Sequence, residues 1–131
     1  MIDHVSITVT DLAAASRFYD AVLPPIGLPC VWREAEAIGY GARTEPGYVT
    51  IRLAPAVVAD RRHWAFRARN RAAVRAAHAA ALAAGGRDDG APGLRPDYHP
   101  DYFAAFLLDP DGNRVEIVCH RAERAGTRDR G

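Results

Sequence analysis

A length of 131 residues is that of one ordinary domain, and 49% hydrophobic with 25% charged residues is typical of a soluble globular protein. The 17 basic side chains nearly balance the 16 acidic ones, which excludes a strong electrostatic attraction to nucleic acid or an anionic membrane. We therefore expect a small-molecule partner. The first residues lack the pattern of a signal peptide or membrane anchor, which predicts a cytoplasmic location. Cys30 and Cys119 are far apart in the sequence and are predicted to be buried thiols.

The first part of the chain has the pattern of one β-α-β-β-β unit. Residues 2–9 alternate between apolar and polar side chains, which predicts a half-buried strand. Asp11 is a candidate N-cap for the following helix, and the Pro24-Pro25 pair ends that helix. Three further strands are predicted, with a turn at residues 44–47 before the last of them, at Cys30–Arg33, Ala37–Arg43 and Tyr48–Leu53.

The same pattern returns after a linker at residues 55–61. Residues 62–68 alternate again, Asn70 is a second candidate N-cap, and an Ala-rich helix runs to the Gly85-Gly86 pair. The remaining segments are predicted to be a loop at Arg87–Asp101, a strand at Tyr102–Leu108, a hairpin turn at Asp109–Gly112 and a strand at Asn113–Cys119.

Equal spacings in the two halves indicate an internal duplication. Seven residues separate His4 from Asp11 and His63 from Asn70, and 23 separate each of these histidines from a glycine after its helix. We therefore predict two copies of one unit with a repeat of about 60 residues. Module one is assigned to residues 1–54, module two to residues 62–120, and a charged, flexible tail to residues 121–131.

Two histidines and one glutamate are candidate metal ligands. His4 and His63 begin the first strand of each module and are predicted to face one polar, concave surface. Glu116 lies among apolar neighbours in the last strand, where a lone buried carboxylate is costly. This nitrogen and oxygen donor set suits Fe, Mn, Ni, Co or Zn, whereas calcium prefers oxygen ligands alone. The alternatives are solvated histidines and an ion pair of Glu116 with Arg67 or Arg114.

The loop before the penultimate strand is predicted to lie at the rim of this cavity, where loops often carry specificity. Arg95 is predicted to bind a substrate carboxylate, and Tyr98 or His99 to act as general acid or base. The alternative is an exposed loop that its prolines stiffen. The candidate set is therefore catalytic at Glu116, Tyr98 and His99, substrate-binding at Arg95, Tyr102 and Arg67, and metal-binding at His4, His63 and Glu116.

The chain resembles the vicinal-oxygen-chelate superfamily of glyoxalases, bleomycin resistance proteins and extradiol dioxygenases in DHVSITVTDLAAASRFYDAVL, HWAFRARNRAAV and, most specifically, DPDGNRVEIV. The resemblance covers nearly the whole chain. It implies an α+β fold in which two tandem β-α-β-β-β modules form an eight-stranded, curved mixed-sheet half-barrel around a central cleft. It also implies a divalent metal ion held by His4, His63 and Glu116, and a homodimer, as in many members, sometimes with modules paired across chains.

One departure from the family pattern bears on the activity. Glyoxalase I enzymes carry a second glutamate on the last strand of module one, and counting four residues from the turn glycine, as from Gly112 to Glu116, leads from Gly47 to Ile51. The missing carboxylate puts lactoylglutathione lyase activity in doubt, because three protein ligands instead resemble extradiol dioxygenases and fosfomycin-modifying enzymes.

These features predict a divalent-metal-dependent, glyoxalase- or dioxygenase-like enzyme that acts on a small oxygen-chelating substrate. Its chemistry is expected to be that of a lyase, an isomerase or a ring-cleaving dioxygenase. The alternative is a metal-free protein that sequesters a small molecule or an antibiotic, as bleomycin resistance members of the family do. Those members generally lack the ligand histidines, whereas all three ligand positions are filled here.

Overall fold

A computed structural model describes residues 1–123, and within them the elements follow the order of two repeated units. Module one contains β1 (His4–Val9), α1 (Leu12–Val22), a short 3-10 helix (Pro24–Ile26), β2 (Cys30–Arg33), β3 (Ala37–Tyr40) and β4 (Tyr48–Leu53). Module two contains β5 (His63–Arg67), α2 (Arg71–Ala83), β6 (Arg87–Leu94), β7 (Phe103–Leu108) and β8 (Arg114–Cys119). The fold is therefore α+β, with the repeated β-α-β-β-β order that the sequence predicts.

Each module forms a four-stranded mixed sheet with the same topology. The strand order is β1-β4-β3-β2 in module one and β5-β8-β7-β6 in module two. The first strand of each module pairs in parallel with the last, and the other pairings are antiparallel. The two sheets do not close on themselves, which is consistent with a curved half-barrel. Within residues 1–123, β1 and β5 are edge strands with one hydrogen-bonded neighbour each.

One hydrophobic core joins the two modules. Phe18 of α1 and Val74 of α2 are fully buried in it, together with Ile7 of β1 and Ile117 of β8. Alternate residues of these strands point into this core because side chains change face at every residue of a strand. The residues between them lie on the opposite face of each sheet, which we call the cleft face. The candidate ligands lie on this cleft face.

Side-chain caps and a glycine set the limits of the helices. Asp11 accepts a hydrogen bond of 3.0 Å from the backbone N–H of Ala14, and Asn70 accepts one of 2.8 Å from that of Ala73. Both residues are the N-caps that the sequence predicts. After α2, Gly85 takes a left-handed φ of 95°, which ends the helix at little steric cost. Helix α1 ends before the Pro-Pro pair, as predicted.

The predicted loop at Arg87–Asp101 is wrong over its first eight residues, which form strand β6 (Arg87–Leu94). This strand pairs with β7, but its register shifts between Asp88 and Gly90 and again between Gly90 and Gly93. The sequence does not predict this strand because Asp, Gly and Pro, which are frequent in it, are depleted in strands. The irregular pairing accommodates them.

Smaller differences concern a strand end, the thiols and the tail. Strand β3 ends at Tyr40 instead of Arg43, because Gly41 adopts a φ of 90° and turns the chain. Cys119 is buried as predicted, whereas Cys30 is only half-buried, and both are free thiols. Most of the predicted tail, residues 124–131, lies outside the described residues. No helix in the described part of the chain is long and apolar enough to cross a membrane.

A hydrogen-bond network around Asp109 links the two modules. The hydroxyl of Tyr19 in α1 donates to Asp109 Oδ2 at 2.7 Å, and the backbone N–H groups of Asp111 and Asn113 donate to Oδ1 at 2.9 and 2.8 Å. Thr10 donates its backbone N–H to Asp111 at 2.9 Å. Burial and the neighbouring Asp109 hold the pKa of Tyr19 well above its ordinary value. The turn of module two therefore fixes the hairpin, as predicted, and also binds module one.

Candidate metal centre and cleft

His63 and Glu116 lie side by side on the cleft face of module two. His63 begins β5, and Glu116 is the third residue of the adjacent β8, where the parallel register pairs it with Ala65. His63 Nε2 is 3.1 Å from Glu116 Oε1, and Glu116 is only 2% exposed. The structure therefore brings together two of the three candidate metal ligands.

Tyr102 occupies the other oxygen of the same carboxylate. Its hydroxyl donates a hydrogen bond to Glu116 Oε2, so that both oxygens of Glu116 have a partner. Burial and this hydrogen bond raise the pKa of Tyr102 above its ordinary value. The phenol therefore stays protonated at neutral pH and acts as a donor. It orients the carboxylate from the side opposite to His63.

The ion pair between Glu116 and an arginine, the alternative considered from the sequence, does not form. Arg114 donates to Asp89 at 2.7 Å and lies over the ring of Phe106 at 4.5 Å. The side chain of Arg67 makes no hydrogen bond or ion pair with the described residues. The side chain on the adjacent strand that contacts the buried carboxylate is therefore the imidazole of His63, which can also ligate a metal ion.

Aromatic and imidazole rings of the predicted rim loop lie next to Tyr102. The ring centres of Tyr98 and His99 are 4.9 and 5.4 Å from that of Tyr102. His99 Nε2 is 2.8 Å from Nδ1 of His120, which follows β8. Tyr98 is 67% exposed. The predicted acid–base candidates therefore contact the site through Tyr102, and His120 belongs to the same ring cluster.

Arg95, the predicted carboxylate clamp, is held at the edge of β6. Its guanidinium group donates to the backbone carbonyls of Gly93 and Ala91 at 2.9 and 3.0 Å and lies 5.6 Å from the ring centre of Phe106. Arginine has five N–H donors, so these contacts leave donors for a further acceptor. The substrate contact remains a prediction.

His4 does not join the pair within one chain. Its Nδ1 lies 2.7 Å from Oδ1 of the neighbouring Asp3, and the residue is exposed. Across residues 1–123, no three His, Cys, Asp or Glu side chains are gathered closely enough to hold a metal ion. His4 instead borders a separate cavity on the cleft face of module one.

This second cavity has a volume of about 330 Å³ and was not predicted from the sequence. Its principal side chains come from β1, β2, β4 and the turn before β4, and include Ser6, Trp32, Arg43, Tyr48, Thr50 and Arg52. A signal was present in β4, because Tyr48, Thr50 and Arg52 alternate with the core residues Val49 and Ile51. We call it the module-one cavity.

The register of the sheets corrects one comparison between the modules. In module one, Ser6 pairs with Thr50, and in module two the equivalent Ala65 pairs with Glu116. The module-one counterpart of Glu116 is therefore Thr50, whereas counting from the turn glycines gave Ile51. The count fails because Asn113 separates the turn glycine from β8, whereas Gly47 directly precedes β4. Thr50 lines the cavity and Ile51 lies in the core, so a second carboxylate is absent in either comparison.

The sequence profile of the glyoxalase/bleomycin resistance protein/dioxygenase superfamily matches residues 1–117. The chain belongs to this superfamily. Solved structures agree with it. A glyoxalase/bleomycin resistance protein from Albidiferax ferrireducens is 30% identical with a TM-score of 0.81, and the match covers 91% of this chain and 98% of that one. Among curated proteins, no significant match exists.

Two solved structures of lower sequence identity share the fold of this chain. A glyoxalase-related enzyme from Fulvimarina pelagi is 22% identical with a TM-score of 0.72, over 91% of this chain and 87% of that one. The fosfomycin resistance protein FosX from Mesorhizobium loti is 16% identical with a TM-score of 0.67, over 91% of both chains. Superfamily membership confirms the resemblance seen in the sequence.

Proposed function

We propose that this chain is a divalent-metal-dependent, glyoxalase- or dioxygenase-like enzyme that acts on a small oxygen-chelating substrate. The observation that carries the proposal is the 3.1 Å approach of His63 Nε2 to the buried Oε1 of Glu116 on adjacent strands. An imidazole nitrogen and a carboxylate oxygen form a donor set that Fe, Ni, Mn, Co and Zn accept. A bound ion of this kind supplies Lewis acidity to a chelating substrate.

The surrounding side chains suit a ligating carboxylate. Tyr102 donates to Glu116 Oε2 and remains protonated because burial and this bond raise its pKa. Hydrogen bonds of this type orient ligands and tune metal affinity. The imidazole of His99, which contacts Tyr102, can donate and accept a proton and serves as general acid or base, with Tyr98 as the second candidate. Arg95 and Arg67 are the proposed contacts of an anionic substrate group.

His4 of a second copy of the chain is the proposed third ligand. His4 is exposed at the start of an edge strand, and β5, which carries His63, is also an edge strand. Edge strands present unpaired backbone groups that a second chain can pair with. A homodimer that joins β1 of one copy to β5 of the other would bring His4 toward the pair formed by His63 and Glu116.

Elemental mass spectrometry of the purified protein tests the proposal. We expect near-stoichiometric divalent metal in the wild type and a loss of metal in His63→Ala, Glu116→Gln and His4→Ala. His78→Ala is the control, because His78 pairs with Asp88 between α2 and β6. Circular dichroism of each variant establishes that the fold persists. A wild type that stays empty after reconstitution with each candidate metal would exclude the metalloenzyme.

A metal-free binding protein is the second candidate. It is favoured by the separation of His4 from the other two ligands within residues 1–123. The same measurement separates the two candidates, since a sequestering protein binds its ligand without metal. In that case the contact of His63 with Glu116 is a structural ion pair.

A further inference from the structure

The module-one cavity is the strongest feature to which no role has been assigned. We propose that it binds the planar, anionic part of the substrate, namely an aromatic carboxylate. The inference rests on the proposed function only where it calls this ligand a substrate. Binding of an aromatic carboxylate to the cavity itself requires no metal ion. The cavity volume of about 330 Å³ lies at the lower end of the range for small-molecule sites.

Two aromatic side chains form one wall of the cavity. The indole N–H of Trp32 donates to the hydroxyl of Tyr48, which fixes the two rings relative to each other. Trp32 lies over Gly39 of β3, and a Cβ at this position would overlap the indole ring and the Tyr48 hydroxyl. The absence of a side chain at Gly39 therefore allows the indole to lie across the sheet. Flat aromatic surfaces of this kind stack with planar ligands.

Two arginines and one aspartate line the cavity, which leaves it with a net positive charge. Arg43 lies over the Trp32 ring at 5.2 Å, and Arg52 projects from β4 on the same face. Neither makes an ion pair with a described residue, and the one acidic residue of the cavity, Asp3, is hydrogen-bonded to His4. Guanidinium groups bind carboxylates through paired hydrogen bonds, so the cavity favours an anion beside a planar ring.

The two modules differ in charge at equivalent positions. Thr50 replaces Glu116 in the register of the sheets and is 4% exposed, so a neutral hydroxyl lies where module two has a carboxylate. In module two, Arg114 is paired with Asp89. Module one therefore has a hydroxyl in place of the buried carboxylate, and its cavity has two arginines that make no ion pair with a described residue. This difference favours an aromatic carboxylate in module one and leaves the metal ion to module two, where Arg95 and Arg67 remain the proposed contacts of an anionic group beside the metal ligands.

The two tryptophans allow this inference to be tested by two-dimensional NMR of nitrogen-labelled protein. The indole N–H of Trp32 lies in the cavity, whereas Trp64 packs against the core and serves as an internal control. Trp64→Phe assigns the two signals. Chelator-treated protein is titrated with benzoate, with benzamide as its uncharged isostere and with cyclohexanecarboxylate as a non-planar anion. We expect benzoate to shift the Trp32 signal and the other two probes to bind at least about tenfold more weakly.

Substitutions separate charge from stacking. Arg52→Gln and Trp32→Leu should each raise the Kd of benzoate at least about tenfold. Arg17→Gln removes an exposed arginine from α1 and should leave the Kd unchanged. Trp32→Leu removes the reporter signal, so its Kd is measured from the ligand resonances.

The inference fails if benzoate leaves the Trp32 signal unmoved at millimolar concentration, if benzamide binds as tightly, or if Arg17→Gln weakens binding as much as Arg52→Gln. Glu116→Gln separates this failure from that of the metal site. Benzoate binding that persists in this variant supports the cavity whatever the metal content. A protein that binds metal but not benzoate would overturn only the proposal that the cavity binds an aromatic carboxylate.

Discussion

At the scale of single residues, Glu116 is held by two neighbours with different roles. His63 approaches Oε1, and Tyr102 donates to Oε2. Removing the donor leaves the carboxylate in place but less well oriented. If Glu116 ligates a metal ion, Tyr102→Phe should lower metal affinity about 10- to 100-fold, the usual cost of losing such a hydrogen bond. Competition with a chromophoric chelator measures the change.

Tyr98→Phe is the matched control for this substitution. Tyr98 contacts the Tyr102 ring, but its hydroxyl makes no hydrogen bond with a described residue. Metal affinity should therefore be unchanged in this variant. Equal losses in the two variants would mean that the phenyl packing of the cluster, and not the bond to Glu116, controls affinity.

The sequence predicts some of these residues and misses others for a physical reason. His63 and Glu116 follow from the alternation of their strands and from the repeat, and the structure places them in contact. Trp32 and Thr50 were missed because their importance depends on which strands are neighbours. Gly39, which makes room for the indole, carries no side-chain signal at all. The register of the sheet determines which residues are cross-strand neighbours, and the spacing of residues along the chain does not reveal that register.

At the scale of secondary-structure elements, Asp20 links α1 to strands β2 and β3 of module one. It accepts hydrogen bonds from Arg33 of β2 at 2.6 Å and from the Tyr40 hydroxyl of β3 at 2.7 Å. Partial burial acts to raise the pKa of Asp20, but the hydrogen bonds from Tyr40 and Arg33 outweigh it and lower that pKa below 3.8. The ionised carboxylate therefore stabilises the fold.

Asp20→Asn should reduce the free energy of unfolding by about 1 kcal/mol at neutral pH, since the pair is partly exposed. Because the folded-state pKa is lowered, this stabilisation is complete above the ordinary value of 3.8 and is lost as the pH falls toward the folded-state value. Urea denaturation at about pH 7 and about pH 3 measures it. Asp97→Asn, at an exposed aspartate, should show no such change, and a difference that persists in acid would contradict the assignment.

Strand β6 marks the limit of prediction at this scale. Its sequence, RDDGAPGL, contains five residues of types that strands disfavour, and its pairing with β7 is irregular. Tertiary contacts stabilise it instead. His78 of α2 binds Asp88 at 2.9 Å, and Arg114 of β8 binds Asp89 at 2.7 Å. Local sequence patterns cannot contain these contacts, because their partners lie elsewhere in the chain.

At the scale of the whole molecule, Asp109 holds the two modules together. Its Oδ2 accepts hydrogen bonds from the Tyr19 hydroxyl of module one and from the Asn113 side chain. An amide nitrogen in place of Oδ2 is itself a donor and cannot accept either bond. Asp109→Asn should therefore lower the free energy of unfolding by about 2–4 kcal/mol, because the buried Tyr19 hydroxyl and the half-buried Asn113 amide lose their acceptor. Chemical denaturation followed by circular dichroism measures the loss.

Asp111→Asn, in the same turn, provides the comparison. Asp111 is only half-buried and bonds to Thr10, so we expect a loss of less than about 1 kcal/mol. Similar losses in both variants would show that the turn, and not the contact between modules, determines the effect. The duplicated order of elements was predictable from equal spacings, whereas this link was not, because its partners are 90 residues apart.

The pairing of Thr50 with Ser6, as Glu116 pairs with Ala65, has a consequence for protein engineering. The duplicated halves have the same strand alignment although their hairpin turns differ in length. Side chains can therefore be transplanted between the halves only by matching strand partners. A designer who wishes to install a fourth ligand should place the carboxylate at Thr50, which lines the module-one cavity. At Ile51, the same carboxylate would be buried in the hydrophobic core, where it would destabilise the fold and could not contact a metal ion in the cleft.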